Sequence, residues 1–134
     1  MAAISRHQHK EQIARIRRGE IYLVNFDPTI GHEIQKTCPA LIIQNDIGNQ
    51  YSPLTIVAAI TSKISEATYP VEVVVAPSRS NGLTLWSAIH LDQIRTVDRQ
   101  RLIQRLGVVG AQTLGEVDLA IKISLGLVEL GTEP

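Results

Sequence analysis

Almost everything that usually announces a metal, a cofactor or a membrane is missing from this sequence. It holds one cysteine, one tryptophan, one phenylalanine and one methionine in 134 residues. A single thiol permits no internal disulfide and cannot build a cysteine-rich zinc site. The four histidines are scattered, with His7 and His9 close to the N-terminus. There is no Gly-rich phosphate loop, no HExxH, no GxSxG and no CxxC. The expectation is therefore a protein with no metal and no cofactor. No apolar run approaches the ~18 residues a membrane helix needs. The opening "MAAISRHQHKEQIARIRRGE" lacks the apolar core and small-residue cleavage site of a secretory signal. A cytoplasmic location without membrane association is the default expectation.

Net charge is also missing, which by itself points to no polyanion partner. The charge is unevenly spread, however. Residues 1–18 carry Arg6, Lys10, Arg15, Arg17 and Arg18 against Glu11, a balance of +4, so the remainder carries −4. A basic arm of this kind is read as a solvated tail or as an attractor of nucleic acid.

What is present is a series of short strand signals. "EIYLVNF" (20–26), "ALIIQ" (40–44), "LTIVAAIT" (54–61), "VEVVV" (71–75) and "WSAIHL" (86–91) are rich in β-branched and apolar residues. Asp27-Pro28 and "APSRSNG" (76–82) supply turn residues between them. "NDIGNQYSP" (45–53) reads as a loop with room for one helical turn. The period then changes. Asp98 and Gly107 are the expected N-cap and stop of a helix over "RQRLIQRL". Thr113 and Glu116 form the expected capping box of a terminal helix. Its apolar stripe is Leu114, Val117, Ile121, Leu125 and Val128. Strands followed by helices imply an α+β domain, with an antiparallel sheet or small barrel covered by a terminal helix.

The polar residues that could carry chemistry stand on loops and strand ends. They are His32, Lys36 and Thr37 in and after the first connection, Thr61 and Lys63 at the end of the third strand, and His90, Asp92 and Gln93 at the end of the fifth. Spacing alone does not bring them together in space. Cys38, between Thr37 and Pro39, is open to four readings: packing, nucleophile, metal ligand, or replacement of another residue.

"RGEIYLV", "DPTIGHE", "TxPALI", "NDIGN", "IVAAIT", "LDQIRTVDRQRL" and "ISLGLVEL" occur in the order found in the MazF/PemK (Kid-like) family of toxin endoribonucleases. The sequence resembles that family over residues 17–130. Residues 1–16 form a basic N-terminal extension outside the resemblance, and 131–134 a short tail. The resemblance implies an SH3-like antiparallel barrel with added helices, including a C-terminal amphipathic helix, that forms a homodimer. It implies a toxin of a toxin–antitoxin system that cuts single-stranded RNA at specific sequences without a metal and is held inactive by a MazE-like antitoxin.

The ribose 2′-OH is then the nucleophile, and the protein moves protons and neutralises a crowded phosphorane. Thr61 matches the family threonine. The family arginine stands before the proline of "TRPALI", and here that position is Cys38. A second arrangement in the family uses a histidine and an aspartate, which His32 and Asp92 match, but its arginine position is His90. Arg18, Gln35, Lys36, Thr37, Lys63 and Gln93 are the expected RNA-binding residues. A thiol cannot give the charged, bidentate contact of a guanidinium. The expectations are thus an attenuated endoribonuclease or, as the alternative, an inactive module of the same fold that binds RNA or antitoxin. Poisoning of DNA gyrase, an activity of relatives with this barrel, is a third reading.

Overall fold

The computed structural model describes residues 5–6, 15–28, 30–33, 36–64 and 69–129. Gln35, His7, His9, most of the basic extension and the 131–134 tail lie outside these. Six strands alternate with two helices: β1 (Glu20–Asn25), β2 (Thr37–Ile42), α1 (Asp46–Tyr51), β3 (Leu54–Thr61), β4 (Glu72–Val75), β5 (Ser87–Asp98), β6 (Leu102–Val108) and α2 (Ala111–Ser124). All strand pairs are antiparallel, in one sheet of order β4-β5-β3-β2-β1-β6. The domain is α+β.

Strands β1 to β3 read as nearly continuous apolar runs because both faces of this sheet are buried. Ile21, Leu41, Ile60, Ile89 and Leu91 point to one face, where Val117 and Ala120 of α2 complete the first core cluster. Their neighbours Tyr22, Ile42, Ala59 and Val97 point to the other face, into a second cluster with Val24, Phe26 and Leu102. Ile16, at the end of the basic extension, is buried in that second cluster. The sheet curls around it. Arg95 on β5 reaches the Phe26 carbonyl beyond β1 at 2.8 Å, although β3 and β2 lie between. In a flat sheet three strand spacings would separate them by about 14 Å.

The structure departs from the sequence expectation in four places. The helix expected over 99–106 is a 3-10 turn at Arg99–Arg101 followed by β6. Asp98 does cap that turn, accepting from the Gln100 amide at 2.8 Å. Pairing with β1 overrides the helical spacing of the leucines. Gly107 in β6 allows the 78–82 loop to lie directly on the strand: an added Cβ would meet the Ser80 carbonyl oxygen at 2.2 Å. Helix α2 starts earlier than expected, with Gly110 as N-cap and no side-chain cap, so Thr113 and Glu116 are within the helix. It ends at Ser124, leaving Leu125 61% exposed at the edge of the expected stripe. The fifth strand runs to Asp98 instead of ending at Leu91.

Candidate active site at one end of the curled sheet

The site is built where β1, β2 and β3 end together. Strand β1 pairs with β2 through Val24↔Cys38 and Asn25↔Thr37. One step further the Phe26 amide donates to the Lys36 carbonyl at 2.8 Å. Lys36 takes φ 62, a left-handed turn that closes the β1–β2 connection before Thr37 begins the strand. Pro39 holds Cys38 extended at the start of β2. Strand β2 pairs with β3 through Ala40↔Ala59, and continuing that register by two residues sets Cys38 across from Thr61. Thr61 shares a face with Ala59, and Cys38 with Ala40. Both alanines belong to the second cluster, against which Cys38 packs. Cys38 and Thr61 are therefore neighbours at the open rim of that cluster.

Each has a distinct chemical state. Thr61 is half-buried, and its hydroxyl oxygen accepts from the Lys63 amide at 3.1 Å, leaving the hydroxyl hydrogen to donate elsewhere. Burial pushes the Cys38 thiol up to about 11, with the backbone of Ile60 pulling weakly the other way. At neutral pH it is a thiol, poorly suited to nucleophilic attack or metal binding. Among the described residues no group of three or more His, Cys, Asp or Glu side chains could hold a metal ion. Of the readings open for Cys38, half-buried packing at a position that carries no charge fits best. Lys36, Thr37 and Lys63 are all exposed around it.

Strand β5 closes the site from the far side. Its pairing with β3 jumps from Ala58↔Ile94 to Ile60↔Ile89, so residues 90–93 face Ala59 alone and the strand bends there. Gln93 leaves the bend toward the β1–β2 connection, its amide 3.5 Å from the carbonyl of exposed His32. Two residues on, Arg95 bonds the Phe26 carbonyl and lies over the Phe26 ring, 5.4 Å from its centroid. Arg101 bonds the Asn25 carbonyl at 3.1 Å and also the Asp27 carbonyl. The base of the connection that carries His32 is thus held by three side chains from β5 and the turn after it.

His90 and Asp92 also lie in the bend. His90 Nδ1 is 3.5 Å from both Glu72 Oε1 and Asp92 Oδ1. The histidine is mostly buried, and among the described residues its Nε2 has no partner. Position 90, where the resemblance implies an arginine, is thus an inward-facing imidazole flanked by two carboxylates. Asp92, half exposed, faces this imidazole.

The structure thus brings Cys38, Thr61, Thr37, Lys36 and Lys63 together, with Gln93 and His32 alongside. It does not bring Arg18 there. The Arg18 guanidinium bonds the Ile43 carbonyl at 2.9 Å and Asp118 Oδ1 at 2.6 Å, and its amide donates to Asp46 Oδ1 at 2.7 Å. That last bond, with smaller contributions from Asn49 and the nearby arginines, outweighs desolvation and lowers the Asp46 carboxyl. Ile43, the residue after β2, is five residues from Cys38, about 16 Å along an extended chain. Sequence reasoning missed Arg95, Arg101 and Glu72. Arg95 was available to it: two residues beyond Gln93 in a strand is the same face.

The family of PemK-like, MazF-like toxins of type II toxin–antitoxin systems matches this chain over residues 17–125. Endoribonuclease EndoA of Bacillus subtilis (strain 168) is 41% identical over 114 residues, covering 85% of this chain and 97% of that protein. Among solved structures, MazF (Form-I) from Deinococcus radiodurans matches with a TM-score of 0.70 at 28% identity, over 83% of this chain and 96% of that one. A MazE-MazF structure (Form-II) from the same organism matches with a TM-score of 0.66 at 28% identity, over 85% and 98%.

Proposed function

Since the chain belongs to the PemK-like, MazF-like toxin family of type II toxin–antitoxin systems, we propose that it is an endoribonuclease that cleaves single-stranded RNA without a metal, at reduced strength. One observation carries this reading. Thr61 and position 38 meet at an exposed strand end between Lys36 and Lys63, with no charge on the residue at 38. Lys36 and Lys63 attract and align the RNA backbone. The scissile phosphate then lies over Thr61, whose hydroxyl donates to a non-bridging oxygen as charge builds there. The 2′-oxygen loses its proton and attacks phosphorus, the bond to the 5′-oxygen breaks, and that oxygen takes up a proton. The products are a 2′,3′-cyclic phosphate and a 5′-OH. His32, on the connection held by Gln93 and Arg101, and Asp92 on the bend are the proton-transfer candidates. Thr37 and Gln93 line the path of the strand, and Gln35 is assigned to it from the sequence alone. Arg18 is a contact for RNA only beyond the cleavage site, given its place at the other end of β2.

The same cationic rim fits an acidic tail of a MazE-like antitoxin, which would cover the site. A homodimer is supported by large exposed apolar side chains, notably Ile47 and Tyr51 on one side of α1 and Leu125 and Leu127 after α2. Among the described residues no helix is long and apolar enough to cross a membrane, and an RNA substrate fits action in the cytoplasm.

The uncharged thiol at position 38 also supports a second reading, a module that binds RNA or antitoxin and no longer cuts. Primer extension on a long RNA incubated with this chain separates the two. Stops at a recurring short sequence support the endoribonuclease, and RNA that is bound but uncut supports the module.

A further inference from the structure

Arg95 combines three properties. It is half-buried, and its guanidinium is fixed by the stack on Phe26 and by one hydrogen bond, from Nη1 to the Phe26 carbonyl. Among the described residues it has no carboxylate partner, whereas Arg18 and Arg105 are paired with Asp118 and Glu20. And it is held at the end of the sheet that carries the candidate site. Phe26 follows β1 on the same face as Val24, which pairs with Cys38, so Phe26 is the diagonal neighbour of Cys38. A guanidinium has five donors, and the Phe26 carbonyl uses one. The face of the ring orients the plane without consuming the others. An ordered cation that is half out of water and lacks an acidic partner is an anion site waiting for its anion.

We infer that Arg95 supplies the RNA phosphate site with the guanidinium that position 38 lacks, reaching from β5 across the mouth of the second core cluster. This rests on the endoribonuclease reading. A family arginine at position 38 would enter the rim from β2, while Arg95 enters from the opposite side over Phe26. The charge is restored at a less direct angle, which accounts for a site that binds and aligns phosphate but stabilises the transition state weakly. Chemistry of the ligand follows from the donor: a phosphodiester with two non-bridging oxygens for two parallel N–H groups.

The test uses the full chain and four variants: Arg95→Gln, Arg95→Lys, Cys38→Arg, and Cys38→Arg with Arg95→Gln. Affinity for a mixed-sequence single-stranded RNA is measured against salt, together with initial cleavage rates and thermal melting. Arg95→Gln should lower the salt slope of binding by about 0.7, the value of one phosphate contact on a single strand, and reduce cleavage on the order of 10-fold. Arg95→Lys keeps the charge and should keep the slope while cutting more slowly than the parent. In the Cys38→Arg background the cost of Arg95→Gln should shrink to less than about 3-fold, because the two guanidinium groups are alternative sources of one contact. An unchanged slope in Arg95→Gln overturns the inference, as does a cost undiminished by Cys38→Arg, since either result leaves Arg95 as a clamp on Phe26 only. Should Arg95→Gln fail to fold, an Arg95→Lys rate equal to the parent overturns it. If no variant cuts RNA, Cys38→Arg included, the endoribonuclease reading fails, and the salt slope still decides whether Arg95 meets phosphate.

Discussion

Replacing Cys38 by arginine should raise the cleavage rate by about 10²-fold while leaving the fold intact. Pro39 keeps the backbone at 38 extended, and the register with Val24 on one side and Thr61 on the other fixes the direction of the side chain. The first atoms of an arginine would replace the half-buried thiol against the second core cluster, and the rest of the stem can run along the rim to place its head in water. From there the guanidinium faces a phosphate aligned on Thr61. A fixed donor aimed at developing negative charge contributes 10²- to 10³-fold in other enzymes, about 2.7 to 4 kcal/mol. The lower end applies here, because Arg95 already provides part of the charge. Binding should change much less than rate, since the gain is concentrated in the transition state. Initial rates on a long RNA, read by primer extension, with thermal melting as the control for folding, provide the measurement. The variant should also be harder to express without an antitoxin. Equal rates for parent and variant would refute the reasoning and leave Thr61, His32 and Asp92 as a sufficient set, with Cys38 an ordinary packing residue.

Cleavage should survive EDTA and leave a 2′,3′-cyclic phosphate and a 5′-OH, seen by end-labelling; dependence on added magnesium would contradict the use of the 2′-OH without a metal. Alkylation of Cys38 by iodoacetamide at pH 8 should run on the order of 10-fold slower than for a thiol at the ordinary value near 9, because a group at about 11 is almost wholly protonated there and the greater nucleophilicity of its thiolate recovers only part of the loss. The rate should climb as pH approaches 11, and fast labelling at pH 7 would show a solvated thiol. Asn49→Ala should cost roughly 1–3 kcal/mol of stability in urea melts by orphaning the buried Thr55 hydroxyl and removing one of the two bonds of the Gln44 side-chain amide. Its cleavage rate should hold, since α1 is at the other end of β2; a selective loss of activity without loss of stability would place α1 in the site. Sedimentation at micromolar concentration should give twice the 14.7 kDa chain mass, and a monomer throughout would remove the homodimer.

Strands β1 and β3 were legible because local chemistry and tertiary need agree there. "EIYLVN" and "LTIVAAIT" favour strands by residue type and are buried on both faces. Strand β6 was not legible. "LIQRL" has the spacing of a helix, and only pairing with β1 decides otherwise, through partners some eighty residues away in sequence. The candidate site divides the same way. Thr37, Cys38, Thr61 and Lys63 could be named from strand ends and family motifs, and the register does bring these positions together. What no linear reading holds is the bend at residues 90–93. It sends Gln93 and Arg95 across the mouth of the core to carbonyls sixty-odd residues earlier. It also turns the His90 imidazole inward between Glu72 and Asp92. Asn49 was invisible for a related reason: a loop asparagine looks polar and exposed until four hydrogen bonds in its environment are counted.

The zero net charge of this chain does not weigh against an RNA substrate, because the cations are not equally available. At the α1 end of β2, Arg18 is bound to Asp118, its amide to Asp46, and Arg105 to Glu20. Those two guanidinium groups each have an acid beside them, which weakens the field they project. At the other end Lys36, Lys63, Arg95 and Arg101 have no carboxylate partner among the described residues, and two of them are fixed by backbone carbonyls that cannot neutralise them. A potential is set by where opposite charges fail to meet, and the sum over the chain says nothing about that. A rim that gathers phosphates while position 38 holds a neutral thiol would bind RNA better than it cuts it. This is why substitutions at 38 and 95 should move rate and salt slope by different amounts.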